Sequence, residues 1–432
     1  MPADPFVSGF KTQPYWWDDV PPPDLPLIDL PQIADVVVIG SGYTGLHAAL
    51  QTARGGRETV VLDAESAGFG CSTRNGGQVS TSIKPNFDVL AKRHGAEKAF
   101  AILKDGQNSL AWIGRFIAEE KIDCDFSVVG RFHAAHRPSQ YDVLARAVSN
   151  QRPGLEVEAH MVSRAEQRSE IGTDVYYGGA VYRQHASVHP ARYHRGLLDR
   201  VRAAGAILMP HCPATAIAPL GSGFRITTSR GTIVTRDVVI ATNGYTGRLT
   251  PWLQRRVIPI GSYVIATEAV PETLIDKLIP RNRIISDTRK VVFYYRASPD
   301  RRRILFGGRV SLNETDPRNS GRRLYAEMIH VFPELASVGV SHSWSGTIAY
   351  TFDELMHVGR HEGMYYAMGY CGAGVGTSSY FGMRIGQQVL GLAEGRTALD
   401  GLTFQTRPLY TGNPWFLAPS VLYYRLRDQW IA

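Results

Sequence analysis

The feature that most constrains the fold is a succession of patterns near the N-terminus. Ile33–Ile39 has the sequence IADVVVI, and a short, continuous, β-branched apolar run is typical of a strand buried on both faces. Gly40, Gly42 and Gly45 follow as GxGxxG and open a helical pattern, after which Thr59–Leu62 forms a second apolar run. A strand, a glycine turn, a helix and a strand within about 30 residues predict one βαβ unit.

The glycine turn is predicted to bind the phosphates of a dinucleotide. Its glycines let the backbone approach a pyrophosphate that faces the N-terminus of the helix. Asp63 ends the second strand, 23 residues after Gly40; a carboxylate there accepts from ribose hydroxyls and disfavours the 2′-phosphate of NADP. A turn that served packing alone would not need Asp63. NAD and FAD share this fingerprint, so these residues leave both open.

Length and charge narrow the class of protein. The chain has 432 residues, 43 of them Gly, and a formal net charge of +8. This length predicts two or three domains with a large core. The densest basic runs, Arg281–Arg283 and Arg301–Arg303, are too short for a nucleic-acid arm, so we expect no nucleic-acid partner. The positive surplus instead favours a small anionic ligand.

Cysteine and histidine spacing argues against a metal site. His185, His189 and His194 are close in sequence, but Pro190 interrupts the helical pattern and no carboxylate completes a ligand set. Reduced thiols, an N-terminus without a signal-peptide pattern and no apolar run of about 20 residues predict a cytoplasmic protein without a membrane partner. The four cysteines are far apart and form no CxxC pair: Cys71, Cys124, Cys212 and Cys371.

The remaining chain divides into segments of different character. The first 31 residues hold eight prolines and the aromatic run Tyr15–Trp17, which predicts an extended arm that packs on the body of the protein. Helical patterns include Ala91–Phe100 and Leu110–Ile122. From about residue 255 to 350, SYVIAT, VVFYYR and ILFGGR alternate in polarity, which predicts an antiparallel sheet with one face toward a cavity. The expected fold class is α/β (α+β overall).

Several motifs, in order along the chain, resemble those of one enzyme family. After the second strand comes RNGGQ at Arg74–Gln78, followed by SVHP at Ser187–Pro190 and ATNGY at Ala241–Tyr245. SYVIAT, FGGR and WSG come next, and GYCGAGVGT at Gly369–Thr377 closes the series. The chain resembles the D-amino-acid-oxidase-type FAD-dependent oxidoreductases, especially their γ-glutamylputrescine-oxidase-like branch. The resemblance implies FAD as cofactor, a Rossmann-like FAD-binding domain, and a substrate domain with a mostly antiparallel sheet and flanking helices.

The same resemblance implies two discontinuous domains between terminal segments. The expected division is an N-terminal arm at 1–30; an FAD-binding domain at 31–87, 155–250 and 355–398; a substrate domain at 88–154 and 251–354; and a C-terminal tail at 399–432.

Residues expected to bind FAD follow from the motifs. In the family the RNGGQ loop runs along the flavin, and backbone N–H groups of the closing loop at Gly369–Thr377 face the flavin ring. Cys371 in that loop is expected to be a small buried side chain, with a covalent bond to the flavin as the alternative. The predicted FAD-binding residues are Gly40, Gly42, Tyr43, Thr44, Gly45, Asp63, Ala64, Ser72, Thr73, Arg74, Asn75, Gly76, Gly77, Gln78, Ala214, Thr242, Asn243, Gly244, Gly372, Gly374, Val375, Gly376 and Thr377.

Two departures from the family pattern bear on the substrate. Where amino-acid oxidases of the family carry an Arg after the WxG element, this chain has Ile348, and where sarcosine oxidases carry a Lys it has Gly376. Simple amino acids and sarcosine are therefore disfavoured. An anionic substrate needs another cation, for which the candidates are Arg74, Arg296 and Arg309. The predicted pocket walls are Tyr263, Tyr294, Trp344 and Tyr350.

The resemblance implies an FAD-dependent oxidase of a small anionic amine or amino acid. Hydride would pass from the carbon next to nitrogen to flavin N5, O2 would become H2O2, and the imine would hydrolyse. The expected substrate is iminodiacetate or a related N-carboxymethyl amine, as in an iminodiacetate oxidase, with γ-glutamylputrescine as the alternative. A dehydrogenase that passes electrons to a carrier and a non-enzymatic flavin-binding subunit are further alternatives, and the oligomeric state is left open.

Overall fold

The structure, a computed structural model, describes residues 4–81, 83–309 and 315–430. Helices and strands alternate along much of the chain, in agreement with the predicted α/β (α+β overall) class. Within these residues the strands are, in chain order, β1 (Phe6–Lys11), β2 (Ile33–Ile39), β3 (Thr59–Leu62), β4 (Gln78–Val79), β5 (Arg131–Ala134), β6 (Ala159–Val162), β7 (Gly179–Tyr182), β8 (Ala186–Ser187), β9 (Ile207–Met209), β10 (Ala214–Leu220), β11 (Gly223–Thr228), β12 (Gly231–Ile240), β13 (Ile258–Thr267), β14 (Ile284–Asp287), β15 (Phe293–Ala297), β16 (Ile304–Gly308), β17 (Val340–Tyr350), β18 (His357–His361) and β19 (Met364–Met368). The helices are α1 (Tyr43–Arg54), α2 (Phe87–His94), α3 (Ala96–Glu119), α4 (Pro138–Ser149), α5 (Pro190–Ala203), α6 (Pro251–Gln254), α7 (Glu272–Leu278), α8 (Pro317–Val331), α9 (Gly374–Val389) and α10 (Leu417–Trp430).

The predicted βαβ unit lies at the centre of an eight-stranded sheet. Its strand order is β10-β11-β12-β2-β3-β9, with β19 also paired to β12 and β18 paired to β19. β2 pairs in parallel with both β3 and β12, so no edge of it meets solvent. Val36 and Val38 pack in the core that includes α1 and α9, whereas Val37 and Ile39 pack in the core of the opposite face. The strand is therefore buried on both faces, as its continuous apolar run predicts.

A nine-stranded sheet forms the second layer of the molecule. Its order is β1-β17-β13-β16-β15-β14-β5-β7-β6, and its pairs are antiparallel except β1–β17 and β5–β14. Alternate side chains of each strand face opposite sides. Phe132, Ile285 and Tyr295 enter the core that this sheet shares with α7 and α8. The residues that alternate with them and face a cavity are Arg131, His133, Ser286 and Tyr294. The predicted antiparallel sheet with one face toward a cavity is confirmed.

The proline-rich arm packs against the body of the protein, as its aromatic residues predict. β1 adds to the edge of the nine-stranded sheet beside β17, and a short 3₁₀ helix follows at Tyr15–Asp18. The Trp16 side chain is fully buried beside Val264 and Trp344. Proline fixes φ and lacks a backbone donor, which suits an edge position and a turn but no central strand.

Two features differ from the sequence-based expectations. Gly95, with φ +85°, separates α2 from α3 in the middle of the helix predicted at Ala91–Phe100, because a glycine takes up this backbone conformation at little cost. In addition, β6 and β7 pair within the nine-stranded sheet, although residues 155–250 were expected in the FAD-binding domain.

The packing of α3 suggests a domain division that follows the cores. Ile102 and Ile113 on this helix belong to the core around α1 and α9, whereas residues 88–154 were expected in the substrate domain. We propose that α2 and α3 belong to the FAD-binding domain and that β6 and β7 belong to the substrate domain.

Among the described residues, no helix has both the length and the apolar character that crossing a bilayer requires.

Candidate active site

A cavity of about 1650 Å³ lies between the two sheets. It is larger than the roughly 300–1,000 Å³ of a typical small-molecule pocket. At one end it is lined by the glycine turn after β2, and elsewhere by the open face of the nine-stranded sheet. The space therefore suits a dinucleotide together with a second ligand.

The glycine turn brings three stretches of backbone into close contact. Gly40 has φ +106°, and a Cβ there would lie 2.8 Å from the Ala241 carbonyl oxygen. A Cβ at Gly45 would lie 1.9 Å from the Gly40 carbonyl oxygen, so a side chain at either position would push the strand and the helix apart. α1 begins at Tyr43 and carries no side-chain N-cap. Its N-terminus faces the cavity, as pyrophosphate binding requires.

Asp63 is fixed at the carboxyl end of β3, where it lines the cavity. Its carboxylate accepts hydrogen bonds from the Ser41 N–H at 2.8 Å and from the Glu65 N–H at 3.0 Å. The Ser41 carbonyl in turn accepts from Nε2 of His194 at 2.8 Å. This network holds the carboxylate beside the turn. In dinucleotide-binding folds, a carboxylate in this position accepts hydrogen bonds from the ribose hydroxyls.

The RNGGQ loop is held by its own asparagine. Asn75 Nδ2 donates to the carbonyl oxygens of Cys71 and Ser72, at 3.1 and 2.9 Å, and its Oδ1 accepts from the Gly77 N–H at 2.9 Å. From the N-terminal arm, Trp16 Nε1 donates to the Asn75 carbonyl oxygen at 2.9 Å. The loop is thus fixed from both sides before any ligand binds.

The end of the RNGGQ loop reaches the nine-stranded sheet. Gln78 Nε2 donates to the carbonyl oxygens of Ile285 and Tyr295, both at 3.2 Å. A Cβ at Gly76 would lie 2.9 Å from the Tyr294 ring. The loop therefore passes directly beneath the cavity face of β14 and β15.

The closing loop leads from β19 into α9. The Cys371 N–H donates to the Ala349 carbonyl oxygen at 2.9 Å, and its thiol donates to the Gly369 carbonyl oxygen at 3.2 Å. Burial raises the pKa of Cys371 to about 11, so its sulfur is a thiol at neutral pH. A Cβ added at Gly372, by contrast, would meet nothing closer than the Tyr350 hydroxyl at 3.7 Å, so this position leaves room for a ligand.

Most residues predicted to bind FAD line the cavity, and six do not. Gly77 and Gly244 are required by packing, because a Cβ would lie 2.2 Å from the Val188 carbonyl oxygen or 2.4 Å from that of Thr347, respectively. Those that line the cavity are Gly40, Gly42, Tyr43, Thr44, Asp63, Ala64, Ser72, Arg74, Asn75, Gly76, Gln78, Ala214, Thr242, Asn243, Gly372, Gly374 and Val375. Those set back from it are Gly45, Thr73, Gly77, Gly244, Gly376 and Thr377.

The two threonines among these six use their hydroxyls locally. Thr73 Oγ1 donates to the Gly68 carbonyl oxygen and Thr377 Oγ1 to that of Ala373, both at 2.7 Å. Gly376 lies inside α9 against Val79. These positions shape the walls of the cavity from behind.

Three predicted substrate residues do not line the cavity. Tyr263 faces the core shared with α7 and α8, because side chains of β13 alternate between the two faces of the sheet. Trp344 is fully buried under the N-terminal arm, and its Nε1 donates to the Arg74 carbonyl oxygen at 2.8 Å. The prediction that these two side chains form pocket walls is wrong.

Arg296, predicted as a candidate cation for the substrate, also does not line the cavity. It is 5% exposed, and its Nη1 donates to the carbonyl oxygens of Gly77 and Val188, at 2.9 and 3.0 Å. Its Nε donates to the Ala297 carbonyl oxygen at 3.0 Å. Strand alternation does direct this side chain toward the RNGGQ loop, but backbone carbonyls there occupy the guanidinium. It ties β15 to the loop instead of reaching the cavity.

The other four predicted substrate residues line the cavity: Arg74, Tyr294, Arg309 and Tyr350. The Arg74 guanidinium lies between the rings of Trp17 and Phe69, 4.5 and 4.4 Å from their centroids. The Tyr294 hydroxyl is 2.9 Å from Ser262 Oγ. Arg309 Nη1 donates to the Gly261 carbonyl oxygen at 2.8 Å.

Comparison with known proteins identifies the family of this chain and, with it, the cofactor. Residues 35–388 match the family model for the FAD-dependent oxidoreductases called DAO. The chain belongs to the DAO family. FAD is therefore its cofactor, and the turn, Asp63 and the RNGGQ loop provide the cradle that such a dinucleotide needs.

Two relatives of this DAO-family chain match it over most of its length. The chain is 31% identical over 403 residues to gamma-glutamylputrescine oxidoreductase of Escherichia coli (strain K12), covering 91% of this chain and 93% of that protein. A probable oxidoreductase of Rhizobium meliloti (strain 1021) is 31% identical over an alignment of 443 positions, gaps included, which covers 98% of this chain and 99% of that protein.

Solved structures share the DAO fold with the chain. Glycine oxidase from Geobacillus kaustophilus superposes with a TM-score of 0.74 at 19% identity, covering 88% of this chain and 99% of that one. Iminodiacetate oxidase from Chelativorans sp. BNC1 gives a TM-score of 0.66 at 15% identity, covering 83% and 95%. The sequence-based assignment to this family and to FAD is confirmed.

The DAO-family cavity contains a lysine that does not figure among the residues predicted from sequence. Lys84 follows the RNGGQ loop, lines the cavity, and places its Nζ 5.3 Å from the centroid of the Tyr350 ring. Loss of hydration inside the cavity would by itself lower the pKa of Lys84, but interactions with Tyr350, Cys371 and Glu354 outweigh this effect and the pKa is raised. Its ammonium is thus charged at neutral pH. No periodic pattern surrounds Lys84 in sequence, so only the fold reveals its position.

Two further residues absent from the predicted set are Arg131 and His133 on β5. Both line the cavity, while Phe132 between them is fully buried in the core. Burial, followed by the charge of Arg131, lowers the pKa of His133 well below its ordinary value. The alternation of RFHA was a usable signal for an open strand face, although it does not say what the face meets.

Histidines and cysteines of the DAO-family chain do not gather into a metal site. Across residues 4–81, 83–309 and 315–430, no group of three or more potential ligands lies together. His189 caps α5 by accepting from the Arg192 N–H at 3.2 Å. His194 serves the glycine turn, and His185 stacks on Tyr182 at 5.3 Å between centroids.

Proposed function

We propose that the protein oxidises the CH–NH bond of a carboxylated amine and uses O2 as the final acceptor. The carbon–nitrogen bond would lose two electrons and two protons to become C=N, and O2 would gain them to become H2O2. Water would then convert the C=N group to a carbonyl and an amine. The observation that carries the proposal is the pair of cations, Lys84 and Arg131, in the cavity above the RNGGQ loop.

FAD supplies the two-electron acceptor for this reaction. The chain's own residues position the substrate against it. Tyr294 lies over Gly76 of the RNGGQ loop, and Tyr350 lies beside Gly372 of the closing loop, so the two rings flank the space between the loops. Ile260 and Ile348 add apolar surface to the same cavity. Such walls orient the carbon that loses hydride and limit access of water.

Lys84 and Tyr294 are expected to keep their protons during turnover. Burial raises the pKa of Tyr294 to about 12. Loss of hydration opposes the charge of Lys84, but its neighbours Tyr350 and Cys371 outweigh this effect, so the pKa of Lys84 is also raised. Neither group takes a proton at neutral pH. The substrate amine therefore binds in its neutral form, and Lys84 attracts carboxylate without acting as a base.

The substrate is proposed to be a carboxylated amine of the iminodiacetate or the γ-glutamylputrescine type. One observation favours the longer molecule: the 31% identity to gamma-glutamylputrescine oxidoreductase. Iminodiacetate, expected from the sequence, stays as the shorter candidate. The proposal includes a cytoplasmic location, for which the four free cysteines are the support.

Anaerobic mixing tests the proposal directly. Purified holoenzyme is mixed with γ-glutamylputrescine, iminodiacetate, sarcosine or glycine, and the absorbance of oxidised flavin is followed. Loss of absorbance with a carboxylated amine, and H2O2 formation when air is admitted, are the expected results. Bleaching without H2O2, with turnover restored by an artificial acceptor, would replace the oxidase by a dehydrogenase. Unchanged flavin with every amine would disprove the proposed function.

A further inference from the structure

One end of the nine-stranded sheet borders the cavity. β16 and β17 run in the same direction, since both are antiparallel to β13, and they end at Gly308 and Tyr350. β15 begins beside the end of β16, because Phe293 is paired with Gly308. Four residues just beyond these strand ends line the cavity: Lys290, Val291, Arg309 and Phe352.

The C-terminal helix α10 crosses this end of the sheet. Before its first residue, the Phe416 ring lies 6.1 Å from the Phe352 ring beyond β17. In its last turns, Arg425 Nη2 donates to the Arg309 carbonyl oxygen at 3.3 Å. Its 14 residues make a helix about 21 Å long, and the five strands from β17 to β14 span about 19 Å. The helix is thus as long as the sheet edge that it crosses.

The two faces of α10 meet different surroundings. On the outer face, Leu422, Tyr423 and Leu426 are 47, 55 and 48% exposed, so this face meets solvent. The residues of the inner face recur every three or four positions, as one side of a helix requires. Those that line the cavity are Leu417, Ser420, Val421, Tyr424 and Arg427. Here the cavity is separated from solvent by a cover one helix thick.

The chain that leads into α10 is anchored first and irregular afterwards. Tyr410 is buried, and its hydroxyl donates to the Val257 carbonyl oxygen at 2.6 Å. Residues 411–416 then form bends and turns, and they include Gly412 and Pro414. Short irregular segments between a fixed point and a rigid element are the usual hinges of lids.

The opposite end of α10 is held by the side chain of Asp428. Its Oδ1 accepts from the Lys290 N–H and its Oδ2 from the Val291 N–H, both at 3.1 Å. Arg137 Nη2 donates to the backbone carbonyl oxygen of Asp428. The two bonds to the carboxylate are charge-assisted, and they join α10 to the connection between β14 and β15.

We propose that α10 is a lid on the cavity, hinged at residues 411–416 and latched by the Asp428 carboxylate on Lys290 and Val291. The lid opens to admit small molecules and closes to keep water away from the bound ligand. This inference depends on the bound FAD but on no particular amine, so it goes beyond the proposed function.

Entry of a small reductant tests the lid without assuming a substrate. Holoenzyme is mixed anaerobically with dithionite, and the loss of oxidised-flavin absorbance is timed; if entry requires the open lid, the rate follows the open fraction. Asp428→Ala should raise this rate at least about tenfold, because it removes two charge-assisted bonds from the closed state. Asp199→Ala is the matched control, since Asp199 is exposed on α5. Equal rates in Asp428→Ala and wild type would overturn the inference.

Trypsin gives a readout that does not use the flavin. Arg425 lies inside α10, and cleavage after it requires the helix to leave the body of the protein and unwind. Asp428→Ala should therefore speed this cleavage about tenfold, as followed by mass spectrometry, whereas Asp199→Ala should not. Unchanged cleavage in Asp428→Ala would overturn the hinge and latch.

A reversible cross-link tests the lid in the opposite direction. Lys290→Cys with Asp428→Cys places two thiols at the latch, and oxidation should join them. The disulfide should slow flavin reduction by dithionite at least about tenfold, and its cleavage by dithiothreitol, removed before mixing, should restore the rate; each single variant is a control. An unchanged rate with the disulfide verified by mass spectrometry would overturn the inference. Flavin that dithionite bleaches but no amine bleaches would instead disprove the proposed amine oxidation.

Discussion

Arg296→Met is expected to destabilise the protein and weaken FAD binding while leaving substrate recognition little changed. The side chain donates three hydrogen bonds, to the carbonyl oxygens of Gly77, Val188 and Ala297. Two of these carbonyls belong to other elements, so the guanidinium joins β15 to the RNGGQ loop and to the segment before α5. The variant would remove that connection without touching the cavity.

The size of the effect follows from two opposing contributions. A hydrogen bond from a charged donor contributes about 1.5–3 kcal/mol, so three of them contribute roughly 5–9 kcal/mol. Burial lowers the pKa of Arg296 from 12.5 to about 10, which corresponds to a cost of about 3 kcal/mol for keeping the charge. The difference, about 2–6 kcal/mol, is the expected loss of unfolding free energy in Arg296→Met.

Urea unfolding of the apoprotein and titration with FAD measure the two consequences separately. The FAD dissociation constant is expected to rise at least tenfold, because the RNGGQ loop is no longer held. Arg168→Met is the control, since Arg168 forms an exposed ion pair with Asp174 and its loss should leave the unfolding free energy nearly unchanged. Unchanged stability and FAD affinity, with a large rise in KM confined to carboxylated amines, would refute this account and make Arg296 a substrate ligand.

Three further outcomes are expected. Gly45→Ala places a Cβ 1.9 Å from backbone and should leave the purified protein with less than about a tenth of its FAD. Gly114→Ala is the control, because its Cβ would meet only a ring edge at 3.4 Å and FAD should be retained. Full FAD content in Gly45→Ala would contradict this prediction. Burial lowers the pKa of His47 to about 3, so the unfolded chain binds the extra proton, and stability present above the unfolded pKa of about 6.5 is lost as pH falls, by up to about 1.4 kcal/mol per pH unit. In urea unfolding at several pH values between 7 and 4.5, His47→Gln should flatten this slope, and equal slopes in the two proteins would count against it. Acid precipitation should release FAD into the supernatant because Cys371 is a thiol; colour that stays with wild-type protein but not with Cys371→Ser would show a covalent link.

The features predictable from sequence are those in which neighbouring residues carry the whole signal. The βαβ unit is such a case, because the strand, the glycine turn and Asp63 lie within one short segment. The alternation of VVFYYR likewise revealed that Tyr294 and Arg296 share a face. What alternation cannot reveal is which face meets the cavity, and for this reason Tyr263 was misassigned.

The cations of the site were harder to predict because their partners are distant in sequence. Arg296 bonds to carbonyls of Gly77 and Val188, more than a hundred residues away in the nearer case, and no local pattern encodes those contacts. Lys84 and Arg131 become neighbours of one cavity only when β5 pairs with β14. The motifs were enough to predict the residues around the cofactor. The residues around the substrate depend on how the strands of the nine-stranded sheet pair, which the motifs do not show.

The pairing of β1 with β17 has a consequence for the order of assembly. Phe6 lies opposite Val340, so β1 must wait for a partner made roughly 330 residues later, on the order of 20–60 s at usual rates of synthesis. Trp16, which packs beside Trp344 of β17, lacks this part of its final surroundings during that time. The arm is therefore expected to reach its final position on the RNGGQ loop, where Trp16 donates to the Asn75 carbonyl, only late in synthesis.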